Sequence, residues 1–179
     1  DIFLHGSFAK TYRGHGTDKA LVGGIMGMDP WDIRIRDSLS LAEKAGITVC
    51  FATETIDGAH PNTARVVLTG ADGTTAQLTG ASVGGGNILI TQINGMDVSF
   101  TGQNPTLIVL HRDLPGVIAQ VTALVSQHQG NICNFRLSRK EKGGDAVMTI
   151  ELDGSFRTDI TDEIRNMPHI HGVILFQLK

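Results

Sequence analysis

Thr106-Leu107-Ile108-Val109-Leu110-His111-Arg112-Asp113-Leu114-Pro115-Gly116-Val117 decides the fold of the C-terminal part of this chain. Six residues rich in β-branched and leucine side chains read as a strand, and Pro115-Gly116 then opens a helix to Gln129 that carries Val117, Val121, Leu124 and Val125 at helical spacing. Working outward, 131–140 reads as a second strand, Lys142-Gly143-Gly144-Asp145 as a turn and 146–152 as a third strand. Residues 159–167 read as a helix and 170–178 as a last strand. The order βαββαβ is the ferredoxin-like split βαβ unit.

Upstream of this unit, Thr101-Gly102-Gln103-Asn104-Pro105 breaks both periodicities. We therefore divide the chain into a first domain over 1–101, a linker at 102–105 and a second domain over 106–179. In the first domain Ile2-Phe3-Leu4 reads as a short strand, and Thr17 or Asp18 caps a helix through Met26 that Gly23 and Gly24 weaken. Asp29-Pro30 is a start signal for a second helix, with Trp31, Ile35, Leu39 and Ala42 at helical spacing and Gly46 as its stop. Residues 47–52 read as a strand. From Ala64 two hairpins follow, turning at Asp72-Gly73 and Asn94-Gly95, which supply the positive φ that tight turns need. The fold class is α+β throughout.

The 179 residues carry 15 Lys and Arg against 18 Asp and Glu, a net charge of −3. Through Asn104 the count is 7 against 10, and from Pro105 it is 8 against 8, so neither part forms a basic nucleic-acid footprint. With 41% hydrophobic and 18% charged residues, both parts have the apolar content to fold. No apolar run reaches the ~18 residues of a membrane span and no secretory signal opens the chain, so a cytoplasmic location is expected. Asp1 in place of Met, with a strand already in progress, implies a truncated or processed start. Cys50 and Cys133 lie 83 positions apart, outside any C-x-x-C spacing, and read as reduced thiols. Two cysteines cannot supply the three or four ligands of an iron–sulfur cluster.

Two segments carry candidate chemistry. In the first, Gly6-Ser7-Phe8-Ala9-Lys10-Thr11-Tyr12-Arg13-Gly14-His15-Gly16-Thr17-Asp18, a histidine stands between glycines directly before a helix start, on backbone bare enough to admit a ligand. Lys19 stands where the third glycine of a dinucleotide fingerprint belongs, and no phosphate-loop Gly-Lys-Ser/Thr occurs, so nucleotide cofactors are not expected. In the second segment, helix N–H groups after Pro115-Gly116 favour a carboxylate, and an amide such as Asn131 serves either end of a zwitterion. Asp113 accepts from an ammonium and repels a carboxylate; alternatively it caps the helix while Asn131 only turns the chain.

The βαββαβ order with Asp113-x-Pro115-Gly116-Val117 and Gly130-Asn131-Ile132 resembles the ACT domain, a regulatory amino-acid-binding module that commonly pairs with a second copy. The resemblance places a small amino acid at His111, Asp113, Gly116, Val117, Asn131 and Ile132, with His111 and Asp113 matching serine-binding positions of phosphoglycerate dehydrogenase regulatory domains. That family often has Asn where this chain has Asp113.

Gly6 to Thr11 with Gly14 to Ala20, then His60-Pro61-Asn62-Thr63, then Ser82-Val83-Gly84-Gly85-Gly86, resemble in order the motifs of the β chain of iron–sulfur L-serine dehydratases, whose first domain is like an allosteric substrate-binding domain. The resemblance implies conversion of L-serine to pyruvate and ammonia, with a [4Fe-4S] cluster acting as Lewis acid on the hydroxyl while a base removes the α-proton. It implies that an α chain supplies the cluster cysteines and that this chain holds no metal. It makes His15 a catalytic base or serine-positioning residue with Thr17 or Asp18 orienting it, inactive without the α chain, and gives substrate contacts to Ser7, Gly14, Gly16, His60, Asn62, Ser82, Gly84 and Gly85. The family's upstream Ser-Ser-His-Thr segment is not among these residues. Blander readings of the same residues are a helix-capping His15, a turn locked by Pro61 with Asn62 on local backbone, and a plain glycine loop at 84–86. His5, His128, His169 and His171 read as surface or packing residues. The runner-up function is the amino-acid-sensing regulatory part of a D-3-phosphoglycerate dehydrogenase.

Overall fold

The computed structural model describes residues 1–154 and 159–177. The chain packs as two compact units, Asp1–Val83 and Gly84–Lys179. That division falls earlier than the linker read at 102–105, because of where one hairpin packs.

In the first unit β1 (Ile2–Leu4) pairs parallel with β2 (Phe51–Thr53) and antiparallel with β3 (Thr63–Thr69), which pairs with β4 (Thr75–Gly84), giving the order β2-β1-β3-β4. One face is covered by α1 (Gly6–His15), α2 (Thr17–Ile25) and α3 (Ser38–Lys44). Ile2, Leu4 and Ala64 meet Val22 and Ala42 in its core, with Phe8, Ala9 and Tyr12 of α1 packed against them.

Residues 6–15, to which the sequence reading assigns no element, form helix α1. Phe8, Ala9 and Tyr12 share one face at helical spacing, and their burial outweighs the helix-weakening effect of Gly14. The helix expected from Asp29-Pro30 begins late, as a 3-10 turn over Ile33–Asp37 followed by α3. Asp32, not Asp29, caps it: its carboxylate accepts the Arg34 N–H at 2.9 Å and also pairs with the Arg34 guanidinium. Trp31 therefore lies outside the helix, 66% exposed. The strand expected over 47–52 is formed only from Phe51, and the one read as 75–79 runs on to Gly84.

The second unit contains β7 (Thr106–Arg112), α4 (Val117–Gln127), β8 (Ile132–Arg139), β9 (Asp145–Leu152), α5 (Ile160–Arg165) and β10 (Ile170–Phe176). The sheet order is β10-β7-β9-β8 with every neighbour antiparallel, the split βαβ topology read from the sequence. The expected end of the last strand at Leu178 lies outside the described residues. Alternate residues of β7 face opposite ways. Leu107 and Val109 join Val117, Val121 and Val125 of α4 and Ile160 and Ile164 of α5, while Ile108 joins Val147 on the other face. That other face is covered by the hairpin β5 (Asn87–Ile93) and β6 (Met96–Phe100), through Ile90, Ile93, Met96, Val98 and Phe100. A strand buried on both faces reads as a continuous apolar run, which is what 107–110 is.

Candidate functional site

Gly16, at φ +71, ends α1 by donating its N–H to the Tyr12 carbonyl and starts α2 in the same step. His15 is the last residue of α1 and is exposed. Among the described residues no hydrogen bond or ion pair holds its ring. Thr17 opens α2, and Asp18 in its first turn is buried, its Oδ1 accepting the Lys19 N–H at 2.9 Å. A carboxylate at that position is favoured by the helix dipole. Neither Thr17 nor Asp18 bonds to His15 in this arrangement.

Four other nominated residues meet at the opposite end of α1. The Pro61 carbonyl accepts the Ser7 N–H at 2.7 Å and the Phe8 N–H at 3.4 Å, satisfying the start of the helix. Asn62 and Ser82 are joined across β3 and β4, the Ser82 N–H donating to the Asn62 carbonyl at 3.0 Å. His60 accepts the Asn62 N–H on Nδ1 at 3.2 Å, and its carbonyl accepts the Thr63 hydroxyl at 2.7 Å, so the 60–63 turn is closed from within. His5 joins this corner: its backbone N–H donates to the Thr63 carbonyl at 3.0 Å, and its Nδ1 lies 3.1 Å from the Ile56 nitrogen and 3.3 Å from the Glu54 carbonyl oxygen. The length of α1 separates this corner from His15, about 12 Å along the axis from Ser7. Gly84, Gly85 and Gly86 all have positive φ; Gly84 ends β4 and Gly85-Gly86 form the turn after it. The structure thus brings Ser7, His60, Asn62 and Ser82 together, and His15, Thr17 and Asp18 together, as two separate clusters.

In the second unit Asp113 follows β7 and is tied to the β8–β9 turn. Its Oδ2 accepts the Gly143 N–H at 3.0 Å and the Arg139 guanidinium at 2.7 Å, and its own N–H donates to the Gly144 carbonyl at 2.8 Å. The Gly143 N–H first, then Arg139, holds the carboxyl below its ordinary pKa, so Asp113 stays ionised. With Leu114, Pro115, Gly116, Ile118, Arg139 and Lys142 it lines a cleft of about 450 Å³. Arg139 and Gly143 were not foreseen; the basic run before the Gly143-Gly144 turn was their one visible signal. Asn131 lies elsewhere. Antiparallel pairing sets Arg112 opposite Asp145 and Arg139 opposite Ala146 at one end of the sheet, and Thr106 opposite Glu151 and Ile132 opposite Leu152 at the other. Asn131 sits at that second end, its amide donating to Asp153. Asp113 and Asn131 therefore do not meet within one chain. Val117 belongs to the core and Ile132 packs against it.

His111 is 1% exposed. Its Nδ1 lies 2.7 Å from the Arg112 carbonyl, which can only accept, so Nδ1 carries the proton. Among the described residues Nε2 is then a buried acceptor with no partner, an uncommon state.

Among the described residues no group of three or more His, Cys, Asp or Glu side chains is placed to hold a metal ion. Cys50 and Cys133 are both free and exposed, one in each unit. These residues do not fit an iron–sulfur cluster. No helix among them is long and apolar enough to cross a membrane.

Comparison with known proteins adds to this geometry. The AHAS small subunit-like ACT domain matches residues 107–174. A D-3-phosphoglycerate dehydrogenase of Bacillus subtilis (strain 168) is 29% identical over 138 residues, covering 77% of this chain but 26% of that protein. The L-serine dehydratase β chain of Peptoniphilus asaccharolyticus is 38% identical over 151 residues, 84% of this chain and 68% of the relative. A Bacillus subtilis (strain 168) protein named "Probable L-serine dehydratase, beta chain" is 39% identical over 169 residues, 94% of this chain and 76% of the relative. With its ordered glycine and histidine motifs in the first unit and its ACT-like βαββαβ second unit, the chain belongs to the L-serine dehydratase β-chain family.

Proposed function

We propose that this chain is the β subunit of an L-serine dehydratase, converting L-serine to pyruvate and ammonia together with an α chain that holds a [4Fe-4S] cluster. The observation that carries the reading is the 39% identity running over 94% of this chain and 76% of a dehydratase β chain. The dehydrogenase reading accounts for far less, since the alignment reaches 26% of that relative. The cluster belongs to the α chain, because the two cysteines here are too few and sit in different units.

In this reading His15 is presented to the partner's active site. Its ring is exposed, at a glycine-flanked helix corner, with no partner of its own among the described residues. An imidazole with an ordinary pKa near ~6.5 can take the α-proton of serine at neutral pH once a second group orients it. Thr17, Asp18 and the backbone of Gly14 and Gly16 complete that face. Ser7, His60, Asn62 and Ser82 form a second contact region toward substrate or the α chain, and the Gly84-Gly85 backbone is a further candidate contact by itself. The ACT-like unit regulates, its cleft at Asp113 and Gly116 taking a small amino acid, with His111 buried at the end of β7. Because Asn131 lies at the far end of the sheet, its contribution comes from a second copy of the chain. Edge strand β8 exposes Phe135 and Leu137 for that homodimer.

Reconstituting the chain with its α partner tests the reading. His15→Ala is expected to lower turnover at least ~100-fold and to remove the alkaline-rising limb of the pH profile, while the chain alone shows no activity. Near-normal turnover of the variant would eliminate the role of His15.

A further inference from the structure

The first unit contains a cleft of about 560 Å³ where the α1–α2 corner meets the segment from the end of α3 to β2. Three charged side chains line it: Arg13 on α1, Asp18 on α2 and Glu43 on α3. Among the described residues none of the three has an ion-pair partner. Arg13 lies over the Tyr12 ring at 5.4 Å, and Tyr12 stacks on Phe51 with centroids 5.5 Å apart. Both rings, with Val49, form the apolar part of the lining.

Asp18 is the informative member. It is 8% exposed, and among the described residues its carboxylate has one hydrogen bond, from the N–H of the adjacent Lys19. A buried carboxylate held by a single local donor keeps acceptor capacity for another partner, and burial makes a matching cation worth more there than on an open surface. Glu43 lines the same cleft with the same sign, and Arg13 supplies the opposite one. A guanidinium matches a carboxylate by its paired donors, an ammonium has three donors to spread over two carboxylates, and the aromatic wall accommodates an apolar stem.

The geometry points to a binding site for a free α-amino acid in this cleft, its carboxylate on Arg13, its ammonium on Asp18 and Glu43, and its side chain against Tyr12, Phe51 and Val49. The cleft shares Asp18 with the His15 face, but His15 itself does not line it, and it is distinct from the Asp113 cleft, whose lining residues all belong to the other unit.

Calorimetry on the whole chain tests it, with L-serine and L-valine as probes beside relatives that lack one charge: ethanolamine and 3-hydroxypropionate for serine, isobutylamine and isovalerate for valine. At least one amino acid is expected to bind, each single-charge relative at least ~10-fold more weakly. Arg13→Gln and Glu43→Gln, both on the surface, should each weaken that binding by a similar factor with circular dichroism and thermal midpoint unchanged, whereas Asp113→Asn leaves it in place. Absence of heat from both amino acids at ~10 mM, enough to load a site with a Kd of ~1 mM, overturns the site. So does equal binding of the single-charge relatives, or unchanged affinity in both Gln variants. Because the readout is binding to this chain and not turnover, it fails or stands apart from the role of His15.

Discussion

Asp113 shows how one residue changes meaning with its surroundings. Read in sequence it is a carboxylate before a helix; in the fold its Oδ2 closes a strap to Gly143 and Arg139. Its folded pKa is depressed, chiefly by the Gly143 N–H and then by Arg139. The contribution of the strap to stability is therefore present above the ordinary carboxylate value near ~3.9 and is lost as pH falls through the lower folded value. Asp113→Asn is expected to lower the thermal midpoint at neutral pH and to speed amide exchange at Gly143, with the two proteins converging as pH drops through that range. A constant difference across the titration would mean the strap does not depend on the charge. His111 is the complementary case: its position is legible in the motif, but only burial reveals that Nε2 is left as an acceptor without a partner among the described residues.

At the scale of elements, α1 decides the first unit. Its start needs Gly6, which sits at φ +58 with a Cβ position 2.6 Å from the Pro61 carbonyl oxygen, so a methyl group there meets backbone that cannot swing away. Its far end does not have this constraint: Gly14 has open space around the corresponding position. Gly6→Ala should cost more than ~1 kcal/mol in denaturant unfolding, while Gly14→Ala should fall within ~0.5 kcal/mol of the parent. Equal effects would show that α1 is not anchored on Pro61. Glycines at 6, 14 and 16 hide this helix from local propensity, and only the packing of Phe8, Ala9 and Tyr12 on the sheet makes the segment one element. The strong start signal at Asp29-Pro30 failed for the converse reason. Asp32 offers the Arg34 N–H a local acceptor, and the chain turns there before the helix begins.

At the scale of the molecule, the hairpin β5–β6 settles where the second unit begins. It buries Ile108 at 5% exposure and Val147 at 0% on the sheet face that α4 and α5 leave open. A fragment over 84–179 should therefore unfold cooperatively. One over 106–179 would expose that face and be less stable or self-associate, as thermal melts and light scattering of the two fragments would show. Equal stability of the two would place the hairpin outside the unit's core. The consequence for the candidate site is also global: strand register places Asp113 and Asn131 at opposite ends of the sheet, so the two residues do not meet within one chain.

By itself the sequence determined the α+β class, the βαββαβ order, the motifs that resemble serine dehydratase β chains, and the lack of cysteines for a cluster. Those rest on local periodicity, turn chemistry and residue count, which are properties of short windows of chain. Only the tertiary structure decided that 6–15 is a helix, that Ser7, His60, Asn62 and Ser82 share one corner while His15 lies at the other end of α1, and that Asp18 is buried in a cleft with Arg13 and Glu43. These depend on which side chains meet across long separations in sequence, where burial and strand register, not local preference, select the arrangement.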